Sequence, residues 1–233
     1  MWSIRESEHY LFHFYKNSLA EQEVEKIISK QESCFSYITK VLGISPCFKI
    51  NYYLCQTREE VGEFYGDNDP CNGFARKPNQ IYAVYNDEIK CLGFHEDAHL
   101  ISYLINIPKS VALREGLAMF FDRRWWSIIN QDWVRYYLQT NQYVSITSLL
   151  KDEEFYQIDC RITYPIMGAF TEYLILTYGR ALYLQWYSYK ENNLIQQFEL
   201  VYGSPLIQIE QVFIQYIKLF HLDEAIKTKM SNS

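Results

Sequence analysis

The 233-residue sequence lacks the features that mark membrane-spanning and nucleic-acid-binding proteins. No apolar run approaches the roughly 18 residues needed to cross a bilayer, and no segment is rich in lysine and arginine. A net charge of −6 and a pI of about 5.4 also argue against the basic surface that a nucleic acid requires. We therefore expect neither a membrane span nor a nucleic-acid partner.

The first residues, MWSIRESEHYLFHFYKN, lack the parts of an export signal. A basic start, a long apolar stretch and a small-residue cleavage site are all missing. The expected location is the cytoplasm; if an export signal has been removed from this chain, the protein would instead be secreted.

The six cysteines include no C-x-x-C pair, which excludes a zinc ribbon. A chain of this length can bury a sizeable core without covalent staples, so we expect free thiols.

The composition is that of a globular protein, with 48% hydrophobic and 21% charged residues. Apolar periodicity predicts strands in the first third of the chain and helices in the rest, which is an α+β layout. We interpret residues 1–233 as a single domain with two lobes, in which a small mixed sheet with helices occupies 1–89 and a mainly helical lobe occupies 90–233. The predicted strands are 8–15, 48–54, 73–75 and 80–85, and the predicted helices are 18–43, 57–66, 89–104, 111–129, 133–139, 164–178, 181–190, 195–202 and 206–220. Capping boxes that start at Ser18 and at Thr57 open the first two helices.

The segment GFHEDAHL contains His95, Glu96 and His99 at the spacing H-E-x-x-H. On a helix, residues four apart lie on one face, so both imidazoles can bind one ion. Glu96 is the next residue after His95, where a carboxylate can take a proton from a zinc-activated water without binding the metal itself. The five-residue pattern also occurs by chance, but here it falls in a predicted helix with apolar neighbours.

A catalytic zinc ion usually has three protein ligands and one open position. Glu115, in the phrase REGLA, is the third candidate. Residues 106–110 form a predicted turn, after which Ser110 can cap a second helix that returns alongside the first. Glu115 would then lie about one turn into that helix, and Gly116 would allow the two helices to approach closely.

His9 and His13 are also four residues apart, but they lie in a predicted strand. Residues at that spacing in a strand are about 13 Å apart. Since zinc–nitrogen bonds are about 2.0–2.1 Å long, the two imidazoles cannot share an ion. We interpret both histidines, and likewise His221, as structural or surface residues.

The chain resembles the gluzincin metallopeptidases, members of the peptidase MA-like group that are distantly related to thermolysin. The resemblance rests on HEDAH at 95–99 and REGLA at 114–118, which match H-E-x-x-H followed by E-G-x-A. Segments 51–66, 72–85 and 164–183 are similar to the strand, edge-strand and later-helix regions of such proteins. The resemblance covers most of the chain, although only the zinc motifs are specific.

This resemblance implies a zincin-like fold, with an H-E-x-x-H helix next to a glutamate-bearing helix. It implies one Zn²⁺ per chain held by His95, His99 and Glu115, with Glu96 as general base. It also implies that an extended peptide or protein substrate pairs with an edge strand at Gly73, Phe74 and Ala75.

Two positions depart from the family pattern. Met119 stands where thermolysin-like enzymes carry an aspartate that orients a histidine ligand, and Asp97 occupies a slot that is usually apolar. Asp122, one turn further along, is a substitute candidate for the orienting carboxylate, and a surface acid is the alternative.

The expected activity is zinc-dependent hydrolysis of peptide bonds. The oxyanion requires a donor besides zinc, and Tyr164 is the candidate, with core packing as the alternative for this tyrosine and Arg161 as a second choice. Rival hypotheses are a non-catalytic binding or regulatory module with the same fold, a structural zinc site, and hydrolysis of a substrate other than a peptide. The sequence gives no indication of the oligomeric state.

Overall fold

The structure is a computed structural model that describes residues 1–190 and 193–231. It is α+β, with a small mixed sheet and many helices, as the sequence predicted. The chain divides into two compact units, Met1–Ile105 and Asn106–Ser233. The helix with the H-E-x-x-H motif therefore belongs to the unit that contains the sheet, whereas the predicted lobe boundary lay at residues 89 and 90.

A five-stranded mixed sheet forms the centre of the first unit. Its strands are β1 (Trp2–Glu6), β2 (Tyr10–Tyr15), β3 (Ile50–Cys55), β4 (Gly73–Arg76) and β5 (Gln80–Val84). Their order is β1-β2-β3-β5-β4; β2, β3 and β5 are parallel, while β1 and β4 run antiparallel to their neighbours. The sheet therefore ends in two antiparallel edge strands, of which β4 was expected and β1 was not.

The helices of the first unit are α1 (Leu19–Gln22), α2 (Val24–Leu42), α3 (Arg58–Tyr65) and α4 (His95–Ser102). Both predicted capping residues are confirmed, since the Ser18 hydroxyl accepts from the Glu21 N–H and the Thr57 hydroxyl accepts from the Glu60 N–H, each at 3.2 Å. The first predicted helix is interrupted at Glu23, which separates α1 from α2.

The two faces of the sheet bury different side chains. On one face, Tyr10, Phe12 and Tyr52 are fully buried, and the Tyr10 ring lies 5.9 Å from that of Phe35 on α2. On the other face, an aromatic stack crosses four strands. It joins His13 to Tyr53 at 4.2 Å, Tyr53 to Tyr82 at 4.5 Å and Tyr82 to Phe74 at 5.0 Å between ring centroids. The stack links β2, β3, β5 and the edge strand β4.

The second unit is helical apart from one short hairpin. Its elements are α5 (Val111–Asp122), β6 (Arg124–Trp125), β7 (Ile128–Ile129), α6 (Asn130–Gln139), α7 (Ile146–Leu149), α8 (Asp152–Gln157), α9 (Cys160–Tyr178), α10 (Arg180–Tyr187), α11 (Leu194–Tyr202), α12 (Leu206–Lys218) and α13 (Glu224–Ser231). The long helix α9 is central, because α5, α6 and α10 all pack against it. No helix in the described part of the chain combines the length and apolar character needed to cross a bilayer.

Two predicted helices are shorter in the structure. The helix predicted over 89–104 begins only at His95, because Lys90 forms a β-bridge with Tyr85 at the end of the sheet. The helix predicted over 111–129 ends at Asp122, where Arg123 adopts a left-handed φ of 61°. The hairpin of β6 and β7 replaces its last turns.

The six cysteines are free thiols, in agreement with the expectation from their spacing. His9 and His13, the other pair of histidines four residues apart, have separate partners. His9 hydrogen-bonds to Glu32 and His13 to Asn51.

A pH-dependent contribution to stability is expected at Glu32. Burial alone would raise its pKa, but hydrogen bonds from the Ser7 hydroxyl, the His9 N–H and the His9 ring outweigh that effect and lower the pKa. A lowered pKa in the folded state stabilises the fold above the unfolded value of about 4.3, and this stabilisation disappears as the pH falls through the folded value. Glu32→Gln should therefore lower the free energy of unfolding at pH 7 by about 1 kcal/mol.

Urea denaturation at pH 7 and at pH 3 measures this difference. The difference in the free energy of unfolding between wild type and Glu32→Gln should be smaller at pH 3 than at pH 7. Glu8→Gln, at an exposed neighbour of His9, serves as the control. An equal difference in unfolding free energy at both pH values would contradict a lowered pKa for Glu32.

Candidate metal centre

The H-E-x-x-H residues form the first turn and a half of α4, which packs against α2 and β4. The ring centroids of His95 and His99 are 4.9 Å apart, and the rings are nearly perpendicular at 85°. The sequence prediction that both imidazoles lie on one helix face is confirmed. His99 is also buried and stacks on Tyr103, with ring centroids 6.0 Å apart, which limits its rotation.

Three side chains from two elements, β3 and α2, hold the segment that leads into α4. The Tyr52 hydroxyl on β3 donates to the Cys91 carbonyl oxygen, and Lys30 on α2 donates to that of Leu92, each at 3.1 Å. The Gln31 amide, also on α2, accepts from the Gly93 N–H at 2.9 Å and donates to the Gly93 carbonyl at 3.1 Å. The backbone immediately before His95 is therefore bound on both its donor and its acceptor sides.

Asp97, between the two histidines, is completely buried. Its Oδ2 accepts hydrogen bonds from the Tyr10 hydroxyl and, at 3.1 Å, from the Gln31 amide. Burial raises the pKa of this carboxyl well above its ordinary value, although the bond from Tyr10 acts in the opposite direction. Asp97 is thus a buried acid that is hydrogen-bonded to two other elements of the same unit.

Sequence reasoning missed Tyr10 and Gln31 at this site. A signal for Gln31 was present, because it occupies a position of the buried stripe of α2 that is otherwise apolar at Ile27, Phe35 and Ile38. A polar residue at such a position requires a hydrogen-bonding partner in the core.

Glu115 lies on α5 in the second turn, as its spacing from the predicted turn implied. One expectation about this helix was wrong. The Ser110 side chain makes no capping bond, and Asp152 Oδ1 accepts from the Val111 N–H at 2.9 Å instead. Gly116 allows close approach to α9, because a Cβ there would lie 2.8 Å from Thr171 Oγ1. The close approach of this helix to the H-E-x-x-H helix at Gly116 stays a prediction.

One ligand atom from each of His95, His99 and Glu115 can be chosen so that all three lie within 4.8 Å of one another. A search of the described residues for three or more His, Cys, Asp or Glu side chains close enough to hold a metal ion finds this one group. Two imidazole nitrogens and one carboxylate oxygen form a donor set that suits zinc and leaves a fourth position for water or substrate.

Glu96 lies beside the edge strand β4. A Cβ built on Gly73 would be 3.5 Å from Glu96 Oε1, 3.1 Å from Cys91 Sγ and 3.2 Å from the Tyr82 carbonyl oxygen. The absence of a side chain at Gly73 is what lets the strand and the Glu96 carboxylate approach each other. The predicted general base and the first residue of the predicted substrate strand are therefore neighbours.

Alternation along β4 separates the other two predicted substrate residues. Ala75 shares the face of Gly73, whereas Phe74 points to the opposite face and joins the aromatic stack with Tyr82. The side chain of Phe74 therefore packs within the sheet, on the face opposite to Gly73 and Ala75.

Tyr164 is the fifth residue of α9, which begins earlier than predicted because Asp159 caps it. Its ring lies 5.4 Å from that of Trp125 and 6.1 Å from that of Phe155. These contacts explain how the ring is held, and its function as an oxyanion donor stays a prediction. The alternative donor Arg161 is bound to Asp159 at 2.7 Å.

The Met119 side chain is also part of the packed core. This side chain is fully buried, and its Cβ lies 2.6 Å from a Cβ built on Gly168 of α9. Met119 thus belongs to the tight contact between α5 and α9. Asp122 is the last residue of α5 and is partly buried, and its function as an orienting group stays a prediction.

Comparison of the chain with protein-family models, with curated proteins and with solved structures finds no match.

Removal of one ligand should abolish tight metal binding. His99→Ala and Glu115→Ala should each weaken zinc affinity by more than about 100-fold, since loss of outer-shell partners alone costs 10–100-fold. Metal content after dialysis, measured by mass spectrometry, should fall from about one zinc per chain to near zero. His221→Ala, at an exposed position, is the control and should keep its zinc; equal metal content in all four proteins would contradict the site.

Proposed function

We propose that this protein is a zinc-dependent metallopeptidase of the gluzincin type. The observation that carries the proposal is the group of His95, His99 and Glu115, whose ligand atoms lie within 4.8 Å of one another. Structural zinc sites are normally closed by four protein ligands, whereas catalytic sites use three. A three-ligand group with a carboxylate on the same helix turn favours the catalytic alternative.

His95, His99 and Glu115 would hold the ion. When bound, zinc supplies Lewis acidity, which makes a water molecule acidic near neutral pH and polarises the scissile carbonyl. Glu96 accepts the proton of the attacking water and transfers it to the leaving amine nitrogen, so that the carboxylate returns to its starting state after each cleavage.

The proposed substrate is an extended peptide that pairs with β4. This strand is hydrogen-bonded to β5 on one side and is the last strand of the sheet on the other, which is the side where an added strand would pair. Because Gly73 lies beside Glu96, a peptide paired with β4 passes close to the proton acceptor. Backbone pairing makes few demands on the substrate sequence, and Tyr164 is retained as the proposed oxyanion donor.

The proton-transfer function of Glu96 predicts a separation between metal binding and turnover. Glu96→Gln should keep about one zinc per chain and lose about 10²- to 10⁴-fold in kcat, the usual contribution of a general acid–base group. Cleavage of a fluorogenic peptide library, with metal content measured on the same samples, tests this. Glu59→Gln, an exposed glutamate on α3, is the control.

Full activity in Glu96→Gln would contradict the mechanism. A wild-type protein that binds zinc and cleaves no member of the library would instead favour the non-catalytic binding module.

The approach of β4 to Glu96 predicts a second effect. Gly73→Ala would place a methyl group 3.1–3.5 Å from Cys91 Sγ, the Tyr82 carbonyl and Glu96 Oε1. The strand or the carboxylate must shift by a few tenths of an ångström, and small displacements of reacting groups are costly. We expect kcat/KM to fall by about 10-fold with zinc content unchanged, while Ala75→Gly on the same face of the strand should have a smaller effect. Unchanged kcat/KM in Gly73→Ala would argue against substrate binding along β4.

A further inference from the structure

We propose that Tyr10, Gln31 and Asp97 form a positioning cluster that sets the rotation of α4 about its own axis, and thereby the direction of the two histidine ligands. We call these three residues the Asp97 cluster. The inference rests on the proposed zinc site, since it concerns how tightly that site binds its ion.

Local signals leave the first turn of α4 poorly fixed. The helix has only eight residues, and its N-cap residue, Phe94, provides no side-chain hydrogen bond. His95 is the first helical residue, so one of the two imidazoles stands at the end most prone to fraying. The orientation of this end must therefore come from contacts made by other elements.

Gln31 supplies such contacts on both sides of His95. Its carboxamide binds the N–H and the C=O of Gly93, two residues before His95, and its amide nitrogen also donates to Asp97, two residues after it. The single amide group thus uses its two N–H donors and its oxygen to hold the entry and the first turn of α4 together. Because Gln31 is fully buried in the 19-residue helix α2, this anchor is rigid.

Asp97 lies on the side of α4 away from the histidines. Successive helix residues are rotated by about 100°, so Asp97 is about 200° from His95 and also from His99. A hydrogen bond at Asp97 therefore restricts the rotation of α4 from the face opposite to the histidines. When Asp97 is held toward α2 and β2, the imidazoles must point the other way.

Tyr10 holds Asp97 from the side of the sheet. It is fully buried on β2, and its hydroxyl donates to Asp97 Oδ2 and also lies 3.1 Å from the Gln31 carbonyl oxygen. Its ring contacts Phe12, Phe35 and Tyr52, so the hydroxyl has little freedom to move. The cluster thereby connects α4 to both α2 and the sheet.

Packing alone does not account for this arrangement. An apolar residue of similar size at position 97 would fill the same volume without the cost of burying a carboxyl group. Hydrogen bonds add direction that apolar contacts lack, and outer groups that orient histidine ligands are known to affect metal affinity by about 10- to 100-fold.

Zinc affinity, measured by competition with a chromophoric chelator, tests the proposal. Asp97→Leu and Gln31→Leu should each weaken zinc binding by about 10- to 100-fold. Asp97→Asn, whose amide oxygen can still accept from Tyr10 and Gln31, should keep a zinc affinity within about threefold of wild type. Tyr10→Phe, a minimal change, should give an intermediate loss.

A merely structural effect is separated by a matched control and by spectroscopy. Ile38→Val removes one methylene from the buried face of α2, about two turns from Gln31, and destabilises the unit without removing a hydrogen-bonding group of the cluster. It should keep wild-type affinity, and Co²⁺ bound to Asp97→Leu should show an altered visible absorption spectrum because its ligand geometry has changed.

Wild-type affinity in Asp97→Leu, Gln31→Leu and Tyr10→Phe, or losses equal to that of Ile38→Val, would overturn the positioning cluster. A wild-type protein that binds neither Zn²⁺ nor Co²⁺ would overturn the proposed function itself, which is a different result from the same experiment.

Discussion

The hydrogen bonds that anchor α4 within the first unit are the constraint on which the candidate site depends. Two imidazoles four residues apart can bind one ion only if the helix that carries them is formed at its very first residue and held in one orientation. Side chains of α2, β2 and β3 provide this by binding the backbone of residues 91–93 and the carboxyl group of Asp97. The buried aromatic face of the sheet keeps these donors in place.

The edge of the same sheet provides the second requirement. The strand β4 ends the sheet, and its glycine lets the backbone approach Glu96 more closely than any other residue would allow. The aromatic stack through Phe74 and Tyr82 holds this strand from its other face. The general base proposed for the reaction and the strand proposed for the substrate are therefore fixed by one sheet.

Features encoded by short-range patterns could be predicted from the sequence. The H-E-x-x-H spacing indicated a helix with both histidines on one face, the Ser18 and Thr57 capping boxes located helix starts, and residues 73–75 were expected as a strand that the structure places at Gly73–Arg76. Features that depend on distant contacts could not. The bonds between Asp97 and Gln31 join residues 66 positions apart, and no local pattern connects them.

Conformation also overrode apolar periodicity in two places. The apolar and aromatic run after Asp122 continued a helical pattern, yet Arg123, Trp126 and Ser127 adopt positive φ angles and form a hairpin. Similarly, residues before His95 looked helical, but the bridge from Tyr85 to Lys90 extends the sheet into that segment. Backbone pairing and turn geometry, rather than side-chain hydrophobicity, determined these boundaries.

The central claim is that His95, His99 and Glu115 bind one zinc ion and leave a coordination position open. Crystals of the zinc-loaded protein, with diffraction recorded on both sides of the zinc absorption edge, test it most directly. The account predicts one anomalous peak per chain, about 2.0–2.2 Å from a nitrogen of each histidine and from an oxygen of Glu115, with a water molecule as the remaining ligand. A peak elsewhere, or an ion closed by a fourth protein side chain, would contradict it.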